Sequence, residues 1–385
     1  MALLNRFSLE VQLKQLLPIV SKSEDFIAYM YAYVKPDGNV AVQNGETFLC
    51  MVMHIPEFVG LCDETFGVPL KALHRTIVGQ KKYKEIDISV DKDSLAFITK
   101  TPTHFSSLPI TINDSTVNIK QIEYTPKSNS WKSPPLTLSW MFKVALNTVL
   151  PVSDIARGVE FCSVCWGPSG VISTNRQCIT WCPDNSTFTI TPDTEILIPQ
   201  EIAAKVVAMG DPEHFAIENN MIYFSYGKLG HIASPLLVGT FPERWRDYYS
   251  FGENEDDTAE NCIILSRGIK AQLKLVGKFA EKTARDQAMF ARLKVTEEKP
   301  NSMSVSFVDN IKTIQEIVVI DNPYKCTFDI KLNASQLANF LLTCDRMYVH
   351  STANISNEPV KRHIIHLTVE DQSVKIIMAI EPYDD

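Results

Sequence analysis

Apolar residues in this chain recur with two spacings, and the two spacings follow one another in the same order three times. A helical period opens near Ser8, whose hydroxyl can cap free amides, and Leu9, Leu13, Leu16 and Leu17 then mark one face before Pro18. Period-two alternation predicts strands at 27–34, 40–42 and 48–53, the first two joined by a Pro36-Asp37-Gly38 turn. Val68-Pro69 opens a second helix carried by Leu70, Leu73, Ile77 and Val78, with proline where its missing amide costs nothing. Strands return at 86–90, 95–98 and 104–110.

The order then repeats. A helix capped near Ser139 runs through Trp140, Val144 and Leu146, strands follow at 159–165, 170–174 and 178–182, and Ile198-Pro199 opens a helix using Ile202, Val206 and Val207. Strands at 215–218, 221–226 and 231–238 close this copy, where Gly239 permits a bend and Phe241-Pro242 turns the chain out of the sheet. The third copy has helices at about 266–279 and after Asn333, with strands at 292–296, 303–309, 314–320, 346–350, 361–369 and 374–380. First-helix starts recur about 130 residues apart, as do second-helix starts, far longer than a solenoid unit. The expected fold class is therefore α+β, with three consecutive domains, each a sheet backed by two helices. Linkers at 127–135 and 252–260 set the boundaries 1–128, 129–253 and 254–385. The competing architecture is two unrelated α+β domains.

Composition narrows the function. At 385 residues and 45% hydrophobic content the chain can bury large cores, and no apolar run reaches membrane-spanning length. The segment from Met1 to Arg6 lacks the marks of a signal peptide, so a cytoplasmic protein with free thiols is expected, although its nine cysteines would also permit other chemistry. A net charge of −8 argues against a uniformly basic nucleic-acid coat, but not against positive charge segregated onto one surface.

Five short motifs, in order along the repeats, resemble the bacterial DNA polymerase sliding clamp, the β processivity subunit. They are Val68-Pro69 before a helix, Phe105-Ser106-Ser107-Leu108-Pro109, the stretch Ile172-Ser173-Thr174-Asn175-Arg176-Gln177-Cys178-Ile179, Gly239-Thr240-Phe241-Pro242, and Ile376-Ile377-Met378-Ala379-Ile380. The resemblance implies three clamp domains that assemble head to tail with a second copy into a closed ring. Helices would line a hole around double-stranded DNA, and a clamp loader would open the ring. Such a chain is not an enzyme and needs no cofactor or metal; it tethers a DNA polymerase and other partners. Lengthened termini and an altered pocket motif mark a divergent member acting in the cytoplasm of a bacterial cell, a phage protein in its host being one source that fits.

The same resemblance assigns surfaces. A pocket for partner peptides between the second and third domains would be lined by Ala156, Thr174, Arg176, Gln177, Cys178, Ile179, Pro242, Ile376, Ile377, Met378 and Ile380. Methionine and isoleucine suit such a pocket because they offer apolar area without strict directionality. Arg176-Gln177-Cys178 stands where the family has Gly-His-Arg, and Ala379 replaces a proline, so an altered peptide preference is expected. DNA-facing cations would be Lys22, Lys71, Arg75, Lys143, Arg157, Lys205, Arg267, Lys270, Lys274 and Lys278. Of these, Lys270, Lys274 and Lys278 form an i, i+4, i+8 stripe, a pattern that ordinary solvated helix faces also produce.

One rival signal points to another class. Cys162-x-x-Cys165 with Cys178-x-x-x-Cys182 has the residue types of a four-thiolate zinc site in a scaffold or enzyme. Both pairs lie in strand-like sequence without a knuckle turn, and a two-residue period sets Cys162 and Cys165 on opposite faces. Buried free cysteines are the expected reading. A clamp-fold protein that only competes for partners would share the same sequence features.

Overall fold

The computed structural model describes residues 2–20, 30–45, 49–112, 126–175, 178–183, 191–243, 262–266, 268–271, 290–308, 313–323, 325–333, 346–352, 362–369 and 372–382. The first third contains β1 (Ala2–Asn5), α1 (Arg6–Leu16), β2 (Tyr31–Val34), β3 (Asn39–Gln43), β4 (Cys50–His54), β5 (Phe66–Pro69), α2 (Leu70–Gly79), β6 (Glu85–Asp91), β7 (Ala96–Thr101), β8 (His104–Pro109) and β9 (Thr111–Ile112). Next come α3 (Leu138–Ala145), β10 (Ser163–Gly167), β11 (Gly170–Thr174), β12 (Cys178–Cys182), β13 (Ile196–Pro199), α4 (Gln200–Met209), β14 (His214–Glu218), β15 (Met221–Ser225) and β16 (His231–Pro235). Then follow β17 (Cys262–Ile264), β18 (Phe290–Thr296), β19 (Lys299–Val308), β20 (Thr313–Val319), β21 (Phe328–Asn333), β22 (Arg346–Thr352), β23 (Arg362–Val369) and β24 (Gln372–Pro382). The expected α+β alternation is present in the first two thirds. Most of the two helices expected in the third copy falls on 272–289 and 334–345, outside the described residues.

Helix starts differ in detail from the sequence expectation. Asn5, not Ser8, caps α1: its side chain accepts from the amides of Phe7 (3.0 Å) and Ser8 (3.2 Å), because its extended backbone aims the carbonyl at the first turn. Likewise α3 starts one residue before Ser139, after Thr137, with no side-chain cap. The apolar faces are as expected, with Leu9, Leu13 and Leu16 buried on α1 and Leu70, Leu73 and Ile77 on α2. The strand expected over 159–165 is in part a 3-10 stretch, Val159–Cys162, before β10 begins at Ser163.

Contacts group the chain into two compact units, Met1–Pro134 with Met209–Leu236, and Pro135–Ala208 with Leu237–Asp385. In the first unit, β1-β6-β7-β8 form one sheet, and β14-β15-β16-β4-β3-β2-β5-β9 form another. In the second, one sheet runs β13-β10-β11-β12-β24-β21-β18-β19-β20, with β17, β22 and β23 attached through β24. Strands of different sequence repeats thus pair directly, at β16·β4 in one unit and β12·β24 in the other.

The β16·β4 seam is tightly built. Gly230, at φ 105°, passes so near the Val52 carbonyl that a Cβ there would stand 2.0 Å from its oxygen. Next to it His231 pairs with Val52, and its Nε2 is buried without a hydrogen-bond partner. Burial pushes the imidazole from its ordinary 6.5 down to about 4. The folded state therefore keeps His231 neutral, while an unfolded chain protonates it below about pH 6.5. Stability from this residue is full above that pH and is lost as pH falls toward 4, by up to about 3 kcal/mol. Urea unfolding at about pH 7 and about pH 4.5 should show this loss, and His231→Gln should reduce it.

Candidate partner-binding and nucleic-acid surfaces

Within the Thr174–Ile179 motif, β11 and β12 pair antiparallel, with Thr174 opposite Ile179. Thr174 Oγ1 donates to the Cys178 carbonyl at 2.8 Å, and the Cys178 amide donates to Asn175 Oδ1 at 2.8 Å. Asn175 thus closes its own turn, as short polar side chains do in loops. Arg176 and Gln177 lie outside the described residues.

Strand β12 then meets the distant C-terminal motif. Cys178 pairs with Met378, Ile179 with Ile377 and Thr180 with Ile376. Two stretches about 200 residues apart in sequence therefore become neighbouring strands, side by side in register. On the other side of β24, Ile380 pairs with His363 of β23.

Alternation along β12 divides its residues between two faces. Cys178, Thr180 and Cys182 are buried on the side of α3, where Cys182 Sγ points to the Met141 carbonyl at 3.8 Å. On this side Ser173 Oγ donates to the Ala145 carbonyl at 2.7 Å, and Thr148 and Thr180 join their hydroxyls at 3.1 Å, fastening the end of α3 to the sheet. The expected place of Cys178 in a pocket wall is thereby corrected. The residue is 1% exposed, and desolvation raises its pKa, because period-two geometry turns it inward.

Ile179 and Trp181 stand on the other face, against a buried cluster of Cys165, Ile172, Leu197 and Phe241, with Val159 and Leu237 at its margin. Phe241 is an anchor there, and Leu237 fixes the approach by donating its amide to the Leu197 carbonyl at 3.0 Å. Pro242, directly after Phe241, is half-exposed, as is Ile179. Thr174 shares the face of its register partner Ile179 but is itself buried. Ala156 is exposed on the 3-10 stretch Val152–Arg157, three residues before Val159. Trp181, Phe241 and Leu237 join this cluster without having been singled out in the sequence as pocket residues. The signal for Trp181 was its two-residue spacing from Ile179.

The four cysteines of the rival motif are all free and buried. Cys165 belongs to the outer cluster, whereas Cys178 and Cys182 face α3, so the sheet separates them. Among the described residues no three His, Cys, Asp or Glu side chains are placed to hold a metal ion.

Several expected cations are on accessible surface. Arg75 is exposed and Lys71 half-exposed on α2, Lys143 is exposed on α3, and Lys270 is half-exposed. Arg157 is exposed but lies 3.7 Å from the Asp154 carboxylate, which offsets its charge. Lys205 is a correction: it lies on the buried face of α4, 7% exposed, and desolvation lowers its pKa to about 8. A side chain so enclosed does not present an ammonium to phosphates. Lys22, Arg267, Lys274 and Lys278 fall outside the described residues. No described helix is long and apolar enough to cross a membrane.

No family model matches the chain, and no curated protein matches it by sequence. Solved structures do match. The DNA polymerase III subunit beta from Pseudomonas aeruginosa is similar with a TM-score of 0.72 at 11% identity, covering 99% of each chain. The beta subunit from DNA polymerase of Streptococcus pyogenes matches with a TM-score of 0.71 at 12% identity over 99% of each chain. The Helicobacter pylori beta clamp bound to DNA ligase peptide matches with a TM-score of 0.68 at 13% identity, over 98% of this chain and 99% of that one. From end to end, this chain has the fold of the DNA polymerase III beta sliding clamps.

Proposed function

We propose that the chain is a sliding clamp, a non-enzymatic processivity factor that encircles double-stranded DNA and tethers a DNA polymerase. The observation that carries the reading is the β12·β24 register, which joins two distant clamp-like motifs and sets Ile179 beside Ile377 within a clamp fold. Three clamp domains, bounded near 1–128, 129–253 and 254–385, suit the repeat of elements. The chain works in the cytoplasm, where a clamp loader opens the ring and closes it on DNA.

Two copies join head to tail through strand edges. Among the described residues, strand β8 is an edge of its sheet and exposes Phe105, while β20 is an edge of the other unit's sheet and exposes Ile317 and Val319. Unpaired edges with apolar side chains are templates for another strand. Pairing β8 of one copy with β20 of the next satisfies both edges and, repeated once, closes a dimer.

Topology then does the holding. Lys71, Arg75 and Lys143 add a sequence-independent, salt-dependent attraction to phosphates without fixing the ring at one position. Partner peptides insert apolar anchors over Ile179 and Pro242, seated by Phe241 beneath. The Helicobacter pylori clamp, bound to a DNA ligase peptide, supports such a use of the fold.

Loading on nicked circular DNA tests the reading. The protein should stay bound through a high-salt wash and be lost once the circle is linearised. Retention that ignores DNA ends would contradict topological holding.

A further inference from the structure

The first unit carries a cleft of about 640 Å³ that the clamp reading does not use, lined by Tyr83, Lys84, Glu85, Asp87, Lys100, Thr101 and Pro102. This is within the roughly 300–1,000 Å³ of ordinary ligand sites. Its frame is fixed. The main-chain carbonyls of Tyr83 and Lys84 accept from Arg6, at Nε (3.1 Å) and at the amide (3.0 Å), and the Tyr83 hydroxyl is bonded to Thr103.

Its charges, in contrast, are unspent. Asp87 and Lys100 are cross-strand partners in the β6·β7 register, yet they form no ion pair. Asp87 Oδ1 is buried without a hydrogen-bond partner, although buried polar atoms are normally paired. Lys84 and Glu85 also have no ion-pair partner among the described residues. Two cations and two anions therefore line one cleft without neutralising each other. A simple polyanion would meet Glu85 and Asp87, and a simple polycation would meet Lys84 and Lys100. The complementary ligand has both signs: an N–H cation for Asp87 and a carboxylate for Lys100, on a backbone short enough to lie beside Tyr83 and Pro102.

We propose that this cleft binds a short mixed-charge peptide stretch of a protein partner, with a basic and an acidic side chain near one another. It is a contact separate from the Ile179–Pro242 surface and does not depend on the ring.

The test uses the full chain and three capped tetrapeptides, acetyl-Lys-Gly-Glu-Gly-amide and its Lys/Lys and Glu/Glu counterparts, titrated by calorimetry and by amide chemical-shift mapping. The mixed peptide should bind at least about tenfold more tightly than either single-sign peptide, since each of those leaves one pair of charges unmet. Asp87→Asn and Lys100→Gln should each weaken it about tenfold, and Asp87→Glu should retain part of the affinity. Lys100 is exposed and Asp87 half-exposed, and unchanged thermal unfolding would establish that the variants fold. Equal binding of all three peptides, no binding, or insensitivity to both substitutions overturns the proposal. Pro242→Glu should leave this binding unchanged; if it abolished it, the peptide would be using the other surface, and this inference alone would fall.

Discussion

Phe105→Asp is expected to convert the protein from a two-subunit particle into a monomer of 43.4 kDa. The native side chain stands 63% exposed on the edge strand β8. In the proposed assembly it is covered by β20 of the next copy, beside Ile317 and Val319, themselves 63% and 78% exposed. A carboxylate there would be dehydrated without a partner on closure. Together with the lost apolar area, dimer affinity should fall by at least about a hundredfold, as for a central interface residue. Val319→Asp should do the same from the other side. Because both side chains face solvent in one copy, neither substitution should lower the unfolding temperature of the separated subunit. Sedimentation velocity at micromolar concentration checks both variants. A native protein that is itself monomeric there, or variants that still dimerise, would remove the edge-pairing model.

Loss of the dimer should also separate the two sources of DNA binding. Topological retention on circles should vanish in Phe105→Asp, while weak, salt-sensitive binding through residues such as Arg75 and Lys143 should survive. Raising salt should act unequally on the two contacts. Counterion release weakens the phosphate attraction, whereas an apolar edge junction is not weakened by screening.

What could be read in the sequence follows from which forces are local. The leucine spacing of α1 and α2 and the alternation of β12 are dictated by burial of one face, and those elements formed where expected. Caps were less legible. Asn5 and Ser8 both offer oxygen acceptors near the same amides, and only the backbone turn entering α1 chooses between them. The candidate site was legible as motifs but not as faces. Cys178 and Ile179 are adjacent in sequence, yet one is buried against the α3 side while the other joins the outer cluster. The difference is set by the pairing of β12 with β11 and β24, a long-range contact. Lys205 misled for a related reason. Its charge suggested a surface, but its position on α4 is shared with Ile202 and Val206, and the fold encloses that whole side of the helix.

Pro242→Glu is the substitution expected to separate tether from ring. Phe241 is held in the cluster with Ile172 and Leu197 and is 3% exposed, so the fold depends on it. Phe241→Ala should therefore destabilise the protein by about 3–5 kcal/mol and confuse loss of structure with loss of binding. Pro242 is half-exposed, and its change to glutamate leaves the Leu237–Leu197 hydrogen bond and the Phe241 anchor in place. A partner peptide that buries apolar anchors there would have to dehydrate the new carboxylate, at a cost of several kcal/mol if it remained unpaired. Binding of labelled peptides with spaced Leu and Phe anchors should accordingly fall by about a hundredfold or more in fluorescence anisotropy. Dimer mass and retention on circular DNA should match the native protein, while polymerase tethering and processive synthesis are lost. Undiminished peptide and polymerase binding would leave Gly239–Pro242 as a connector only, and would move the partner surface elsewhere on the chain.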